Sequence, residues 1–181
     1  MTNLYLIRHG HTESVAGDNP KLSNVGKYQA GVLGSRFDRD GINFDEAYTS
    51  DMVRATQTGS ISLSKIHYNP EKIVVAKSLR ELSIREAESQ GKEGEEHPTE
   101  VMYNWVSDLV LNSRAKKIVL FSHGRAIKYF LRNAFKDDRE SLHRINKTSI
   151  RHTAITEVLY DGSWNLVKLN DDSHIEQAYI S

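Results

Sequence analysis

The chain predicts an α/β fold: a three-layer α/β/α arrangement around a mostly parallel central sheet, with an antiparallel hairpin at its carboxyl end. Three observations carry this. Apolar runs within residues 3–8, 44–49, 72–76 and 118–121 alternate with stretches of helical spacing through the first 135 residues, the pattern of parallel strands joined by crossover helices. The run Ile118-Val-Leu-Phe121 is apolar at every position, as a strand covered on both faces requires. Two strand-like segments, Thr153 to Tyr160 and Trp164 to Leu169, flank Asp161-Gly162, a hairpin signature.

Taken in order, residues 3 to 8 read as a buried first strand that stops at Arg8-His9-Gly10, and the polar stretch from Gly10 to Lys21 as a loop. Ser23 is suited to cap a helix that carries Gly26, Ala30, Leu33 and Phe37 on one face, and Asp40-Gly41 breaks it. Phe44 to Thr49 forms the second strand. Ser50 or Asp51 can then cap a helix over Met52 to Ser64, with Arg54 in its first turn. Asn69-Pro70 interrupts, Lys72 to Ala76 makes a third strand, and Leu79-Arg80-Glu81 follows. From Arg85 to Glu100 the chain holds six Glu against Arg85 and Lys92, a net charge of about −4, with no large apolar side chain; this is the composition of a solvated loop or flap. Pro98 suits the first turn of a helix whose apolar face runs through Val101, Trp105 and Leu109. The fourth strand stops at Ser122-His123-Gly124-Arg125, and Ile127, Phe130, Leu131 and Ala134 continue as a helix. Residues 136–152 are mixed and mildly basic. Tyr28, Trp105 and Trp164 read as core, and His11, His143 and His152 as surface or core histidines, with His11 on a pocket rim.

A length of 181 residues suits a single domain over 1–181. With Lys+Arg at 24 and Asp+Glu at 24, there is no global field to hold nucleic acid or an anionic membrane, so any anion selectivity must be local. The absence of cysteine removes disulfides, thiolate metal sites and a thiol nucleophile. No stretch approaches ~20 apolar residues, and a cytoplasmic location is expected.

Function is expected where strands end. In a parallel sheet, ligands sit at the carboxyl ends of strands, and three strands here end in Arg8-His9, Ser50-Asp51 and Ser122-His123. If parallel, they deliver those groups to one crevice. His9 is suited to attack phosphorus as a neutral imidazole whose second ring nitrogen donates to a backbone carbonyl, for which Gly10 gives room. The planar forks of Arg8 and Arg54 match phosphate oxygens, and His123 adds an imidazole donor.

The segments Arg8-His9-Gly10-His11-Thr12-Glu13, Leu22-Ser23-x-x-Gly26-x-x-Gln29-Ala30, Ser50-Asp51-Met-Val-Arg54-Ala-Thr-Gln-Thr58, Leu79-Arg80-Glu81, Ser122-His123-Gly124 and Asn170-Asp171-x-x-His174 occur in the chain. Together they resemble the histidine phosphatase superfamily, also called phosphoglycerate mutase-like. The resemblance implies His9 as phosphohistidine nucleophile, Arg8, Arg54 and His123 as phosphate pocket, Glu81 as proton donor to the leaving oxygen, and Thr12 near the phosphate. It departs from the family after the acid, where Ser83-Ile-Arg-Glu-Ala-Glu88 stands in place of a Gly-x-Trp-Glu-Gly-like stretch, and in the loop after Thr12, where the family's usual Asn has no clear counterpart.

The expected activity is hydrolysis of phosphate monoesters, without cofactor or metal, on a small phosphorylated metabolite or a phosphoprotein. His9-x-His11 as a metal site lacks a further His/Asp pair at ligand spacing. A mutase must shelter its phosphohistidine from water, which the polar segment after Glu81 is poorly suited to do, so mutase activity is expected to be weak or absent. A non-catalytic phosphate-binding protein on the same fold is the remaining alternative.

Overall fold

The structure, a computed structural model, describes residues 1–14, 19–83 and 97–178. The predicted flap lies, through residue 96, outside the described residues. The elements run β1 (Thr2–Arg8), α1 (Asn24–Arg39), β2 (Glu46–Thr49), α2 (Val53–Ser64), β3 (Ile73–Val75), α3 (Val101–Asn112), β4 (Lys117–Ser122), α4 (Gly124–Ala134), α5 (Arg139–Lys147), β5 (Ile155–Tyr160), β6 (Trp164–Asp171) and α6 (Ser173–Ala178). Short 3-10 turns at Pro70–Lys72 and Lys77–Leu79 bracket β3.

The six strands form one mixed sheet in the order β3-β2-β4-β1-β5-β6. The first four are mutually parallel, and β5 and β6 extend the sheet by antiparallel pairing. Side chains alternate across a strand, so Leu4, Leu6, Ile118 and Leu120 point to one face and Tyr5, Ile7, Val119 and Phe121 to the other. The first set packs with Val106 of α3, Ile127 and Phe130 of α4 and Ile145 of α5. The second packs with Leu33 and Phe37 of α1 and Leu63 of α2. Both faces of β1 and β4 are therefore covered, which is why Leu4-Tyr-Leu-Ile7 and Ile118-Val-Leu-Phe121 are apolar or aromatic at every position; each large side chain so buried contributes roughly 1.5–3 kcal/mol.

Helix α1 starts where Ser23 Oγ accepts from the Gly26 N–H and ends before Gly41, whose φ of 62° takes the left-handed turn the chain needs there. Gly162 does the same service in the β5–β6 hairpin, at φ 111°.

Several local expectations are corrected. Neither Ser50 nor Asp51 caps α2: Met52 takes that position, Asn19 Oδ1 accepts from the Val53 N–H at 2.8 Å, and Asp51 instead forms a two-pronged pair with Arg80, both contacts 2.6 Å. Pro98 lies in a turn three residues before α3 rather than in its first turn. Strand β5 begins at Ile155, not Thr153, because Thr153 sits at φ 54° and its N–H bonds to Arg8 O. Tyr28 is 44% exposed on α1, whereas Trp105 and Trp164 pack on the core as expected. Helix α5 was not legible in the mixed stretch 136–152; Asp138 caps it by accepting from the N–H groups of Glu140 and Ser141. Among the described residues, no helix is long and apolar enough to cross a membrane.

Candidate active site

The parallel register sets the site. Arg8 lies opposite Ser122, Thr49 lies opposite Phe121, and the ladder runs one step further, with His9 N–H donating to Ser122 O at 3.0 Å and Ser50 N–H to Phe121 O at 2.9 Å. His9, His123 and Ser50 thus emerge side by side from β1, β4 and β2. Ring centroids of His9 and His123 are 5.1 Å apart, and both rings are buried.

His9 is held in one tautomer. Its Nδ1–H donates to Gly10 O at 2.7 Å, so its Nε2 carries the lone pair, and the Arg54 Nε–H points at that lone pair from 3.2 Å. Burial, reinforced by the charges of Arg54 and Arg8, pushes the His9 pKa down to about 3, against the opposing Gly10 hydrogen bond. The imidazole is neutral at physiological pH, as a nucleophile must be. Gly10 has no room for a side chain, since a Cβ there would lie 2.6 Å from Gly26 O; the start of α1 presses directly on this loop.

The cations approach from different elements. Arg54 comes from the first turn of α2, where helix N-terminal N–H groups also favour an anion. Arg8 Nη1 donates to Ile150 O at 2.7 Å, while its Nε is buried and, among the described residues, has no hydrogen-bond partner. His123 Nε2 shares a hydrogen bond with Ser50 Oγ at 2.9 Å, and its buried Nδ1 likewise has no partner among the described residues. Burial and the neighbouring His9, Arg54 and Arg8 lower the His123 pKa to about 2. Both arginines also have lowered pKa values, first through burial, with the Glu81 carboxylate as the favourable charge acting on each.

Glu81 stands at the mouth. Its Oε1 accepts from the Arg125 N–H at 3.2 Å, and it lines, with Arg8, Arg125 and Lys128, a cavity of about 260 Å³. His9, Arg8, Arg54, His123 and Glu81 are therefore brought together. Thr12 lies on the loop beyond, its backbone bridging Leu22, and does not enter this hydrogen-bond set. Among the described residues, no group of His, Asp or Glu is arranged to hold a metal ion.

A family description now meets this geometry: the model of the histidine phosphatase superfamily, branch 1, matches residues 4–108 and 99–172. The chain belongs to that superfamily. This member of the superfamily has curated relatives of greater length. The Drosophila virilis serine/threonine-protein phosphatase Pgam5, mitochondrial, is 28% identical over 194 residues, which cover 99% of this chain and 66% of that protein. The chain spans just under two thirds of the length of such relatives. Among solved structures, phosphoserine phosphatase from Entamoeba histolytica in complex with phosphoserine superposes with a TM-score of 0.73 at 21% identity, covering 97% of this chain and all of that one. A mycobacterial glucosyl-3-phosphoglycerate phosphatase gives 0.73 at 17% identity, covering 94% and 99%. These likenesses establish the fold that this histidine phosphatase domain shares with them.

Some site residues were missed as such. Thr58 Oγ1 accepts from the Gly10 N–H at 3.0 Å and Gln29 Oε1 from the His11 N–H at 2.9 Å; both lie inside the recognised motifs, which was the available signal. His152, read as a surface or core histidine, stands at the site, with its ring 5.3 Å from that of His9. Nothing in its local sequence marks it.

Proposed function

We propose that the protein hydrolyses phosphate monoesters through a phosphohistidine on His9. The observation that carries this is the pair of buried side-chain atoms without a hydrogen-bond partner among the described residues, Arg8 Nε and His123 Nδ1, beside an imidazole whose Nε2 lone pair faces the Arg54 Nε–H. Buried polar atoms without partners are rare and call for an explanation; the explanation we adopt is a tetrahedral anion. Ser50 Oγ already accepts from the Met52 N–H at 3.2 Å and donates its proton to His123 Nε2, so that a neutral His123 presents Nδ1–H to a phosphate oxygen.

In the first step the Nε2 lone pair of His9 forms a bond to phosphorus while the ester P–O bond breaks. Glu81 gives its proton to the departing oxygen, and the product alcohol leaves. In the second step water attacks the phosphohistidine, Glu81 takes back a proton, the N–P bond breaks, and inorganic phosphate departs. Arg8, Arg54 and His123 stabilise the charge that spreads over the equatorial oxygens. No metal is called on, because fixed protein cations perform that office. The relatives support a substrate that is a small phosphorylated metabolite or a phosphoprotein: one structural neighbour is a phosphoserine phosphatase and the curated relatives are serine/threonine-protein phosphatases.

Incubation with a radiolabelled phosphate ester followed by quenching tests the nucleophile. An acid-labile phosphoenzyme is expected in the parent, with phosphoenzyme and hydrolysis both lost in His9→Ala; undiminished hydrolysis in that variant refutes the assignment. In the same experiment Glu81→Gln should slow an alkyl phosphate by ~10²–10⁴-fold and p-nitrophenyl phosphate far less, since a good leaving group needs no proton. Equal losses on both would remove Glu81 from the acid role.

A further inference from the structure

We infer that His152 is a positioning residue for the His9 nucleophile: its Nδ1–H, donated to the His9 carbonyl, fixes the peptide from which the imidazole is aimed. The inference rests on the phosphohistidine reading for its catalytic meaning, though its geometry stands alone. Beyond Arg8 the first strand leaves the sheet. Arg8 O still accepts from the Thr153 N–H at 2.9 Å and His9 N–H still donates to Ser122 O, but among the described residues the next two peptides have no strand beside them.

Three side chains take the place of that missing strand. The His9 carbonyl accepts from His152 Nδ1 at 2.8 Å, the Gly10 N–H donates to Thr58 Oγ1 at 3.0 Å, and the His11 N–H donates to Gln29 Oε1 at 2.9 Å. The 9–10 peptide is thus held at its oxygen by His152 and at its nitrogen by Thr58. The 10–11 peptide supplies the carbonyl that fixes the His9 ring through Nδ1. Without His152, the 9–10 peptide loses the anchor at its oxygen and keeps the Thr58 bond at its nitrogen. A tilt of that peptide carries the Gly10 carbonyl off the His9 Nδ1, and the preference for a proton on Nδ1 rather than Nε2 weakens. A proton on Nε2 blocks attack altogether.

The donor must be Nδ1–H, because a carbonyl only accepts. The role therefore asks for an N–H at that distance from the backbone and not for an imidazole as such. A side-chain amide can supply it: His152→Asn keeps an N–H donor on a side chain of similar reach, and His152→Ala removes it.

The test is read in the resting protein as well as in turnover. In ¹⁵N-histidine NMR spectra the parent and His152→Asn should show His9 protonated at Nδ1, and His152→Ala should show signals averaged between tautomers. The rate of phosphoenzyme formation should fall on the order of 10–100-fold in His152→Ala, with KM little changed, and should largely recover in His152→Asn. A parental His9 tautomer and rate in His152→Ala overturns the inference. So does a His152→Asn variant that melts like the parent yet shows the averaged tautomer. Should His152→Ala fail to fold, the Asn variant decides. The tautomer readout needs no turnover, so loss of the nucleophile assignment through His9→Ala is separable from loss of this one.

Discussion

Arg36 and Arg54 are equally buried, each 8% exposed, and each touches a buried histidine, yet their surroundings are opposite. Arg36 on α1 donates to Asp171 at 2.7 Å and Asp40 at 3.3 Å, with Ser173 Oγ and His174 Nδ1 completing its set. Burial pulls its pKa down, but the hydrogen bonds and charges of those two carboxylates more than reverse it, and the pKa is raised. In return Arg36 holds the Asp171 carboxyl well below its usual range. Arg54 donates to the lone pair of His9, and burial lowers its pKa against the opposing charge of Glu81. One cluster neutralises itself and ties α6 and the end of β6 to α1. The other gathers the charges of Arg8 and Arg54 around an imidazole, beside Arg8 Nε and His123 Nδ1, which have no hydrogen-bond partner among the described residues; on the proposed function this arrangement serves an incoming anion rather than the fold.

Three substitutions or conditions can break or sharpen this contrast. The largest effect belongs to Arg54→Met, which should lower kcat by ~10²–10³-fold, the usual cost of one preorganised charge contact, with a smaller loss of thermal stability than Arg36→Met shows. A fall in stability like that of the Arg36 variant would mean that Arg54 is an ordinary structural cation. Arg36→Met should do the converse. Losing one partner of a buried pair costs about 3 kcal/mol, at the low end of the usual range because Asp171 keeps some solvent contact, or roughly 6–12 °C in Tm for a chain of this size. Its activity per folded molecule should match the parent, as steady-state rates at low temperature would show.

The smallest effect is a pH dependence. His9 and His123, with folded pKa values of about 3 and about 2, bind no proton in the folded state where the unfolded chain, titrating near 6.5, does. The stability linked to them is therefore present above the unfolded value and is lost as pH falls from about 6.5 toward 3. His174, lowered to about 4 chiefly by burial, acts in the same direction. Inorganic phosphate should reduce the loss, because an anion in the site favours the protonated imidazoles of His9 and His123. Calorimetry at about pH 7.5 and about pH 5, with and without millimolar phosphate, measures this; equal acid lability in both buffers would contradict the anion site.

The strands and the residues at their ends were readable because the cause is local. An apolar run that stops at a charged or imidazole group states both its burial and its terminus, as at Ile7-Arg8-His9 and Phe121-Ser122-His123. Helix α5 was obscured because Leu142 and Ile145 are its only large apolar residues among charged ones. The cap on α2 was misassigned because Ser50 and Asp51 are good caps by type. Their side chains are instead drawn to His123 and Arg80, from distant parts of the chain.

By itself the sequence determined which side chains could perform phosphate chemistry, and that parallel strands would carry them to a common edge, since alternation and strand termination are properties of neighbouring residues. Tertiary structure alone decided their protonation and aim. Neutral imidazoles, a lone pair facing Arg54 and a His9 carbonyl held by His152 all arise from burial and from contacts across 45 to 143 positions of chain, which no local pattern encodes.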